Sequence, residues 1–299
     1  MKVVIGTRGS RLALWQTDYI GNLLRKNTDV VFEKKIIKTT GDKITDVPLA
    51  KIGGKGLFVK ELDDAVLDGR ADFAVHSMKD VPVGLPTGLE IVAVPVREET
   101  NDALISKYNL DSLPRGAVIG TSSLRRISQM KNYRPDIKIK DLRGNVDTRI
   151  RKLHEGQYDA IIMAKAGLKR LGFESEIRET LSIDVFTPTV GQGAISVVAK
   201  TDSEFSELLA SINHAATMKT VTAERSLLRG VGGGCQIPLG ADSKILGSEI
   251  VLKGVMLAQD GSKKIEATAT GTDPDKVGTE VAEKLLGLGG RELLEGITL

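Results

Sequence analysis

With one cysteine in 299 residues, the chain can close no internal disulfide, so core packing alone must hold it, and a reducing compartment is expected. Three histidines, His76, His154 and His214, stand too far apart to suggest a ligand set, so no metal site is expected. Aromatics make up only 4% of the residues and are scattered, which excludes a stacking platform for single-stranded nucleic acid. No uninterrupted apolar run is long enough to cross a bilayer, and Met1-Lys2-Val3-Val4-Ile5-Gly6-Thr7-Arg8 meets a charge after three apolar residues, unlike a signal-peptide core. A cytoplasmic protein is expected. Lys and Arg total 42 against 39 Asp and Glu, and a net charge of +3 argues against non-specific nucleic-acid binding. What remains is 41% hydrophobic and 27% charged, an ordinary globular composition. The length exceeds what one core usually serves, so two or three domains are expected.

The periodicities alternate. Val3-Val4-Ile5 reads as a buried strand, and after Gly6-Thr7-Arg8-Gly9-Ser10 comes a helix with Leu12, Trp15, Tyr19, Leu23 and Leu24 on one face, Ser10 as its N-cap. Val30 to Ile37 is strand-like. Thr39 to Gly56, rich in Gly and Lys, reads as a loop. A helix over Val59–Leu67 and strands at Phe73–Val75 and Ile91–Val96 complete a first α/β set with right-handed crossovers. A second set follows, with strands at Ala103–Ile105, Val118–Ile119, Ile137–Leu142 and Ala160–Met163. One helix starts at Ser122 or Ser123, and another carries Val146, Ile150 and Leu153. Gln192–Val198 has the pattern of a strand returning to the first sheet. From about Ala216 the character changes: a helix through Leu228, strands at Ile250–Met256 and Ile265–Thr270, and a helix over Pro274–Leu288 predict a small α+β domain with an antiparallel sheet.

Three strand-to-helix turns carry arginine beside small residues: Gly6-Thr7-Arg8-Gly9-Ser10, Gly120-Thr121-Ser122-Ser123-Leu124-Arg125-Arg126 and Leu142-Arg143-Gly144-Asn145-Val146-Asp147-Thr148-Arg149. Backbone N–H groups, hydroxyls and guanidiniums meet there at helix N-termini, which suits anions. Ligands of open α/β sheets lie beyond the carboxyl ends of the strands, so three such turns predict one polyanionic ligand held between two domains. His76-Ser77-Met78-Lys79-Asp80-Val81-Pro82 follows another strand and adds a carboxylate, Asp80, which either caps a turn or stabilises a developing cation. Cys235 lies in Val231-Gly232-Gly233-Gly234-Cys235-Gln236-Ile237-Pro238, where three glycines strip side chains from one side of the thiol. A lone cysteine is ordinarily a small buried hydrophobe, but this setting would let something bulky reach the sulfur.

These segments resemble the hydroxymethylbilane synthase (porphobilinogen deaminase) family. So do Leu12-Ala13-Leu14-Trp15-Gln16, Gly53-Gly54-Lys55-Gly56-Leu57-Phe58-Val59-Lys60-Glu61-Leu62, Ala166-Gly167-Leu168-Lys169-Arg170-Leu171 and Gly191-Gln192-Gly193-Ala194. The likeness runs in order from residue 6 to 238 and is only general past residue 240. It implies two type II periplasmic-binding-protein-like α/β domains and a smaller C-terminal α+β domain: residues 1–95 with 192–214, residues 98–190, and residues 216–299. It also implies a transferase that joins four porphobilinogen molecules head to tail with loss of ammonia, then releases linear hydroxymethylbilane with water. Cys235 would carry a dipyrromethane primer through a thioether. Asp80 would be the catalytic aspartate, helping ammonia leave and stabilising the cationic azafulvene. Arg8, Ser10, Lys79, Thr121, Ser123, Arg125, Arg126, Arg143, Gly144, Arg149, Arg170 and Gln192 would meet the carboxylates of cofactor and substrate, with Lys51, Lys55 and Phe58 from the loop. Gly9, where the family often has Gln, and Asp147, where it often has Gly, depart from the pattern; Asp147 is expected to point away. A monomer is expected.

Two other readings fit parts of the sequence. Paired α/β domains over an anion also describe non-enzymatic solute-binding proteins, which would leave Cys235 without a use. Arginines as phosphate contacts would describe a nucleic-acid binder, which the scattered aromatics do not support.

Overall fold

The computed structural model describes residues 1–43, 56–233 and 237–296. Lys51, Lys55 and Cys235 lie outside the described residues, as does most of the loop expected between Thr39 and Gly56. The described chain falls into two compact units. Unit 1 gathers the chain up to residue 43 and the stretches 56–98 and 193–218; unit 2 gathers 99–192 and the chain from 219 onward.

Unit 1 is built on a five-stranded sheet ordered β2-β1-β3-β10-β4. Its strands are β1 (Lys2–Thr7), β2 (Val31–Ile36), β3 (Phe73–Ser77), β4 (Leu89–Ala93) and β10 (Ile195–Lys200). The first three run parallel, while β10 lies antiparallel to both neighbours. Helix α1 (Arg11–Asn27) starts where expected, since the Ser10 hydroxyl accepts from the Ala13 N–H at 3.3 Å. Its Ile20 and Leu24 pack with Val3, Ile5, Phe73 and Val197 in one core layer. On the other face α3 (Lys60–Leu67) buries Leu62, Ala65 and Val66 against Ala74 and Val198. The loop expected from Thr39 begins instead with a helical turn, α2 (Thr40–Lys43). Strand β4 ends earlier than its apolar run, because Pro95 has no N–H and the Val94 N–H donates to Asn213 Oδ1 at 2.9 Å.

Unit 2 repeats the topology in β7-β6-β8-β5-β9. These are β5 (Asp102–Ser106), β6 (Val118–Gly120), β7 (Lys138–Lys140), β8 (Ala160–Ala164) and the short β9 (Glu179–Thr180). In each sheet the second, first and third strands of the local series are parallel. A strand from the other side of the crossover then inserts antiparallel: β10 after β3, β5 after β8. That shared order is the type II periplasmic-binding-protein arrangement. Helices α4 (Leu124–Tyr133), α5 (Val146–His154) and α6 (Lys165–Arg170) follow β6, β7 and β8. In unit 1, α7 (Ser206–Ala210) follows β10; α8 (Ala215–Gly230) begins in unit 1 and continues from Lys219 in unit 2.

A separate antiparallel sheet, β11-β12-β13, follows: β11 (Leu239–Leu246), β12 (Glu249–Leu257) and β13 (Lys264–Gly271). Strand β11 has no clear alternation and is absent from the sequence expectation. The sheet is closed by α9 (Pro274–Leu285), which Asp273 caps by accepting from the Asp275 and Lys276 N–H groups. A Cβ on Gly278 would sit 2.3 Å from the Ala223 carbonyl, so glycine there permits α9 to lie against α8.

Candidate active site

In unit 1 the parallel register fixes which residues emerge together. Ile5 is opposite Phe73, and Thr7 is opposite Ile36, so the segments after β1, β2 and β3 all leave at the same carboxyl edge. Arg8 and Ser10 follow β1, Asp42 follows β2, and Lys79 and Asp80 follow β3. The Met78–Asp80 segment is a single 3-10 turn, anchored by the Met78 N–H donating to the Ala194 carbonyl at 3.0 Å. Asp80 is half-buried there, and among the described residues its carboxylate takes part in no hydrogen bond or ion pair. Arg8 is differently placed: its guanidinium grips Asp42, with Nε 3.1 Å from Oδ1, and lies 4.2 Å above the Phe58 ring. Burial works against the Asp42 charge, but Arg8 and the Thr39 hydroxyl and N–H outweigh it and hold the carboxyl below its ordinary range.

Beneath this edge lies a buried pair that the sequence did not suggest. His76 Nε2 and Asp63 Oδ1 face each other at 3.7 Å, too far for a hydrogen bond, and neither atom has another partner among the described residues. Burial, with the charge of Asp64, pushes the Asp63 carboxyl up to about 7; burial, with the charge of Arg8, pushes His76 down to about 4. A carboxyl whose folded pKa exceeds its unfolded value of 3.8 destabilises the fold as pH rises from there to about 7. His76, depressed from 6.5, has the opposite sense: its contribution is present above that value and lost as pH falls towards 4. Asp63→Asn should therefore raise stability at pH 7 and remove a slope of up to about 1.4 kcal/mol per pH unit between pH 4 and 7. Urea midpoints across that range, for both proteins, check it; parallel curves would mean that the carboxyl ionises freely in the fold.

In unit 2 two of the predicted turns are stitched together. The Ser122 hydroxyl donates to the Leu142 carbonyl at 2.7 Å and accepts from the Leu142 N–H at 3.2 Å, which also ends β7 sooner than its apolar run. Thr121 is buried and accepts from the Ser123 N–H; Ser123 is the N-cap residue of α4, although its side chain makes no capping bond. Gly144 has φ +114°, and a Cβ there would meet the Thr148 side chain at 2.8 Å, so glycine is required by the turn itself. Arg149 donates from Nε to the Gly144 carbonyl at 2.7 Å. Arg143 is the more open donor: its Nε and Nη2 are buried with no hydrogen-bond partner among the described residues, and Asp141 stands off at 4.0 Å. Arg170 closes α6. Asp147 lines a surface depression with Ile150, Arg151 and Phe173.

Arg125 and Arg126, expected to face ligand, point inward. Both donate to Asp102, at 2.8 and 2.7 Å, and Gln192 Nε2 reaches the same carboxylate at 2.8 Å. Arg125 further bonds the Thr187 carbonyl and Arg126 the Ile162 carbonyl. Asp102 is completely buried; burial alone would raise its pKa, yet the two guanidiniums and Gln192 hold it far below the carboxylate range. The reason is geometric: α4 turns these side chains onto β5, where an ionised carboxylate awaits them. Asp102 is the key residue that sequence reasoning missed, since a lone acid opening an apolar strand reads as a turn residue. No group of residues suited to a metal occurs among the described residues.

Two α/β sheets of the same type II binding-protein order, each with hydroxyls and charged side chains at its carboxyl edge, define a protein of that fold class. The family models described as porphobilinogen deaminase, dipyromethane cofactor binding domain, and porphobilinogen deaminase, C-terminal domain, match residues 3–207 and 218–287. The chain belongs to the porphobilinogen deaminase family, transferases that polymerise porphobilinogen on a dipyrromethane cofactor in tetrapyrrole synthesis. The porphobilinogen deaminase of Desulforamulus reducens is 50% identical, covering 99% of this chain and 98% of its own. That of Maridesulfovibrio salexigens is 48% identical over the same shares, and that of Brevibacillus brevis 49% identical, covering 97% and 96%. The VFT2 domain of Bordetella pertussis BvgS aligns with 76% of this chain and 91% of its own at 15% identity and a TM-score of 0.44, too loosely to add to the topology.

Proposed function

We propose that Asp80 is the catalytic carboxylate of porphobilinogen polymerisation in this chain, that Cys235 is the attachment point of the dipyrromethane, and that Arg143 leads the set of residues holding ligand carboxylates. The observation that carries this reading is that, among the described residues, the half-buried Asp80 carboxylate and the buried Nε and Nη2 of Arg143 have no hydrogen-bond partner, where buried groups are ordinarily satisfied. Each pyrrole brings an acetate and a propionate, so a primer of two rings carries four carboxylates. The donors present fit such a group: Arg143 Nε and Nη2 lack an acceptor, and the Ser123 side chain makes no cap bond. When bound, the dipyrromethane supplies the pyrrole carbon onto which units are added.

Asp80 stabilises the positive charge that develops on the substrate ring as ammonia leaves, and a fixed carboxylate on a half-buried turn does this better than water. Lys79, Ser10, Thr121, Ser123, Arg149 and Arg170 orient carboxylates or hold the turns that do so. Arg125, Arg126 and Gln192 act from behind, by fixing the start of α4 through Asp102. Lys51, Lys55 and Phe58 are assigned to the same ligand on the sequence resemblance. The enzyme is read as cytoplasmic, in keeping with its unpaired cysteine; no described helix is long and apolar enough to cross a membrane. It is read as a monomer, because its exposed large hydrophobics are scattered singly along the chain.

The intact mass of the purified, denatured chain tests the reading. It should exceed the sequence mass by two porphobilinogen units less two ammonias, and Cys235→Ser should lose the increment. An unmodified chain that stays unmodified after incubation with porphobilinogen would overturn the assignment of Cys235.

A further inference from the structure

We propose that Asp42 is an affinity-setting residue: its carboxylate occupies the guanidinium of Arg8 as an internal stand-in for a substrate carboxylate, and must be displaced before porphobilinogen binds. This rests on the reading that Arg8 takes a ligand carboxylate.

The geometry is that of a bound carboxylate. Arg8 donates from Nη2 to Oδ1 at 2.5 Å and from Nε to Oδ1 and Oδ2 at 3.1 and 3.3 Å, a side-on fork of the kind guanidiniums form with carboxylate ligands. Phe58 covers the guanidinium plane at 4.2 Å, which leaves its edge as the place for an acceptor, and Asp42 is there. Asp42 is itself held in place: Oδ2 accepts from the Thr39 hydroxyl at 2.9 Å and from the Thr39 N–H at 3.2 Å. Thr39 and Asp42 follow β2, whereas Arg8 follows β1, so the pair spans two neighbouring strand ends rather than one turn. Both side chains are partly open, with 19% and 29% of their surface exposed, so an incoming carboxylate can reach the guanidinium without unfolding the strand ends.

Exchange of one carboxylate for another on the same guanidinium costs little in charge. The free energy of substrate binding at Arg8 is then the difference between two similar ion pairs, and weakening the internal one strengthens the external one. Asp42→Asn keeps the size and an oxygen for Thr39 but removes the charge that competes.

Three variants of the cofactor-loaded enzyme separate the possibilities: Asp42→Asn, Arg8→Gln, and Asp18→Asn as a surface-pair control, since Asp18 bonds Lys34 in the same unit. The expected result is a KM for porphobilinogen lowered about three- to ten-fold in Asp42→Asn, with thermal midpoint and cofactor mass as in the parent. Succinate, used as a plain carboxylate probe, should bind the same variant more tightly by a similar factor in calorimetry, a readout independent of turnover. An unchanged KM and succinate affinity would overturn the proposal, because nothing would then be displaced. A raised KM would also overturn it, showing that Asp42 presents Arg8 to the ligand instead of competing for it. Arg8→Gln tests the underlying reading: if its KM matches the parent, Arg8 is not a ligand residue, whatever Asp42→Asn does. Should Asp42→Asn lose its fold, Thr39→Val, which removes one of the bonds holding Asp42, should lower KM in the same direction.

Discussion

Asp80→Ala yields a folded, stable protein whose turnover falls by about a hundred- to ten-thousand-fold. Both halves of that expectation follow from the surroundings of one carboxylate. Asp80 ends a single 3-10 turn whose position is fixed by backbone bonds, from Met78 N–H to the Ala194 carbonyl and from Val81 N–H to the Met78 carbonyl. The side chain contributes to neither, and no described residue bonds it. Truncation therefore removes little that the fold uses, and a stability change within about 0.5 kcal/mol is expected. The chemistry loses much more. Expelling ammonia from porphobilinogen leaves a cation on an electron-rich ring, and a preorganised negative charge beside it lowers the barrier without solvent reorganisation. Asp80→Asn preserves shape but not charge, so it should resemble the alanine variant more than the parent. Thermal midpoints establish the fold, and single-turnover rates on chains confirmed by mass to carry the cofactor establish the loss. A folded Asp80→Ala enzyme within tenfold of the parent would falsify the assignment.

Much of the architecture was legible because it is written in short-range pattern. Val3 to Ile5, Phe73 to Val75 and Ala160 to Met163 are continuous apolar runs bounded by polar turns, as buried parallel strands must be. Ser10 announced the first helix through a bond to Ala13, three residues on. What the sequence could not show is partnership across distance. Arg125 and Arg126 look the same on paper whether they face solvent, ligand or an acid 23 and 24 residues away. Arg8 likewise reads as a free cation until the ends of β1 and β2 bring Asp42 to it. Lys34 on the edge strand β2 is a similar case, since it reads as a free cation and pairs in the fold with Asp18, 16 residues away. Strand β11 is illegible for a related reason: its inner positions Leu239 and Ala241 are buried while the half-buried Ser243 donates to the α8 residue Glu224, so alternation is broken by a polar contact.

The other large effect concerns that inward-facing pair of arginines. Asp102→Asn should lower stability by about 3–5 kcal/mol, a large part of what a domain has to lose. Asp102 opens β5 with no exposed surface and accepts from Arg125, Arg126 and Gln192. Asparagine keeps the volume but turns one acceptor oxygen into a donor facing other donors, and it strips the charge opposite two guanidiniums that are almost fully buried. Removing both partners is a gentler change than removing one, so Asp102→Asn combined with Arg126→Met should lose less than the sum of the single variants. The pH dependence has a definite sign. Because the folded pKa of Asp102 lies far below its unfolded value of 3.8, its contribution is complete above that value and disappears as pH falls through the acid range. The parent should thus lose stability steeply below pH 4, and Asp102→Asn much less so. Urea unfolding at pH 7 and pH 3.5 for the two single variants and the double measures all of this. Additive losses at pH 7 would show that the carboxylate and Arg126 do not act as one unit. If they do, the start of α4, and with it Thr121 and Ser123 at the carboxyl edge, is held by a charge cluster behind the site rather than by the ligand in front of it.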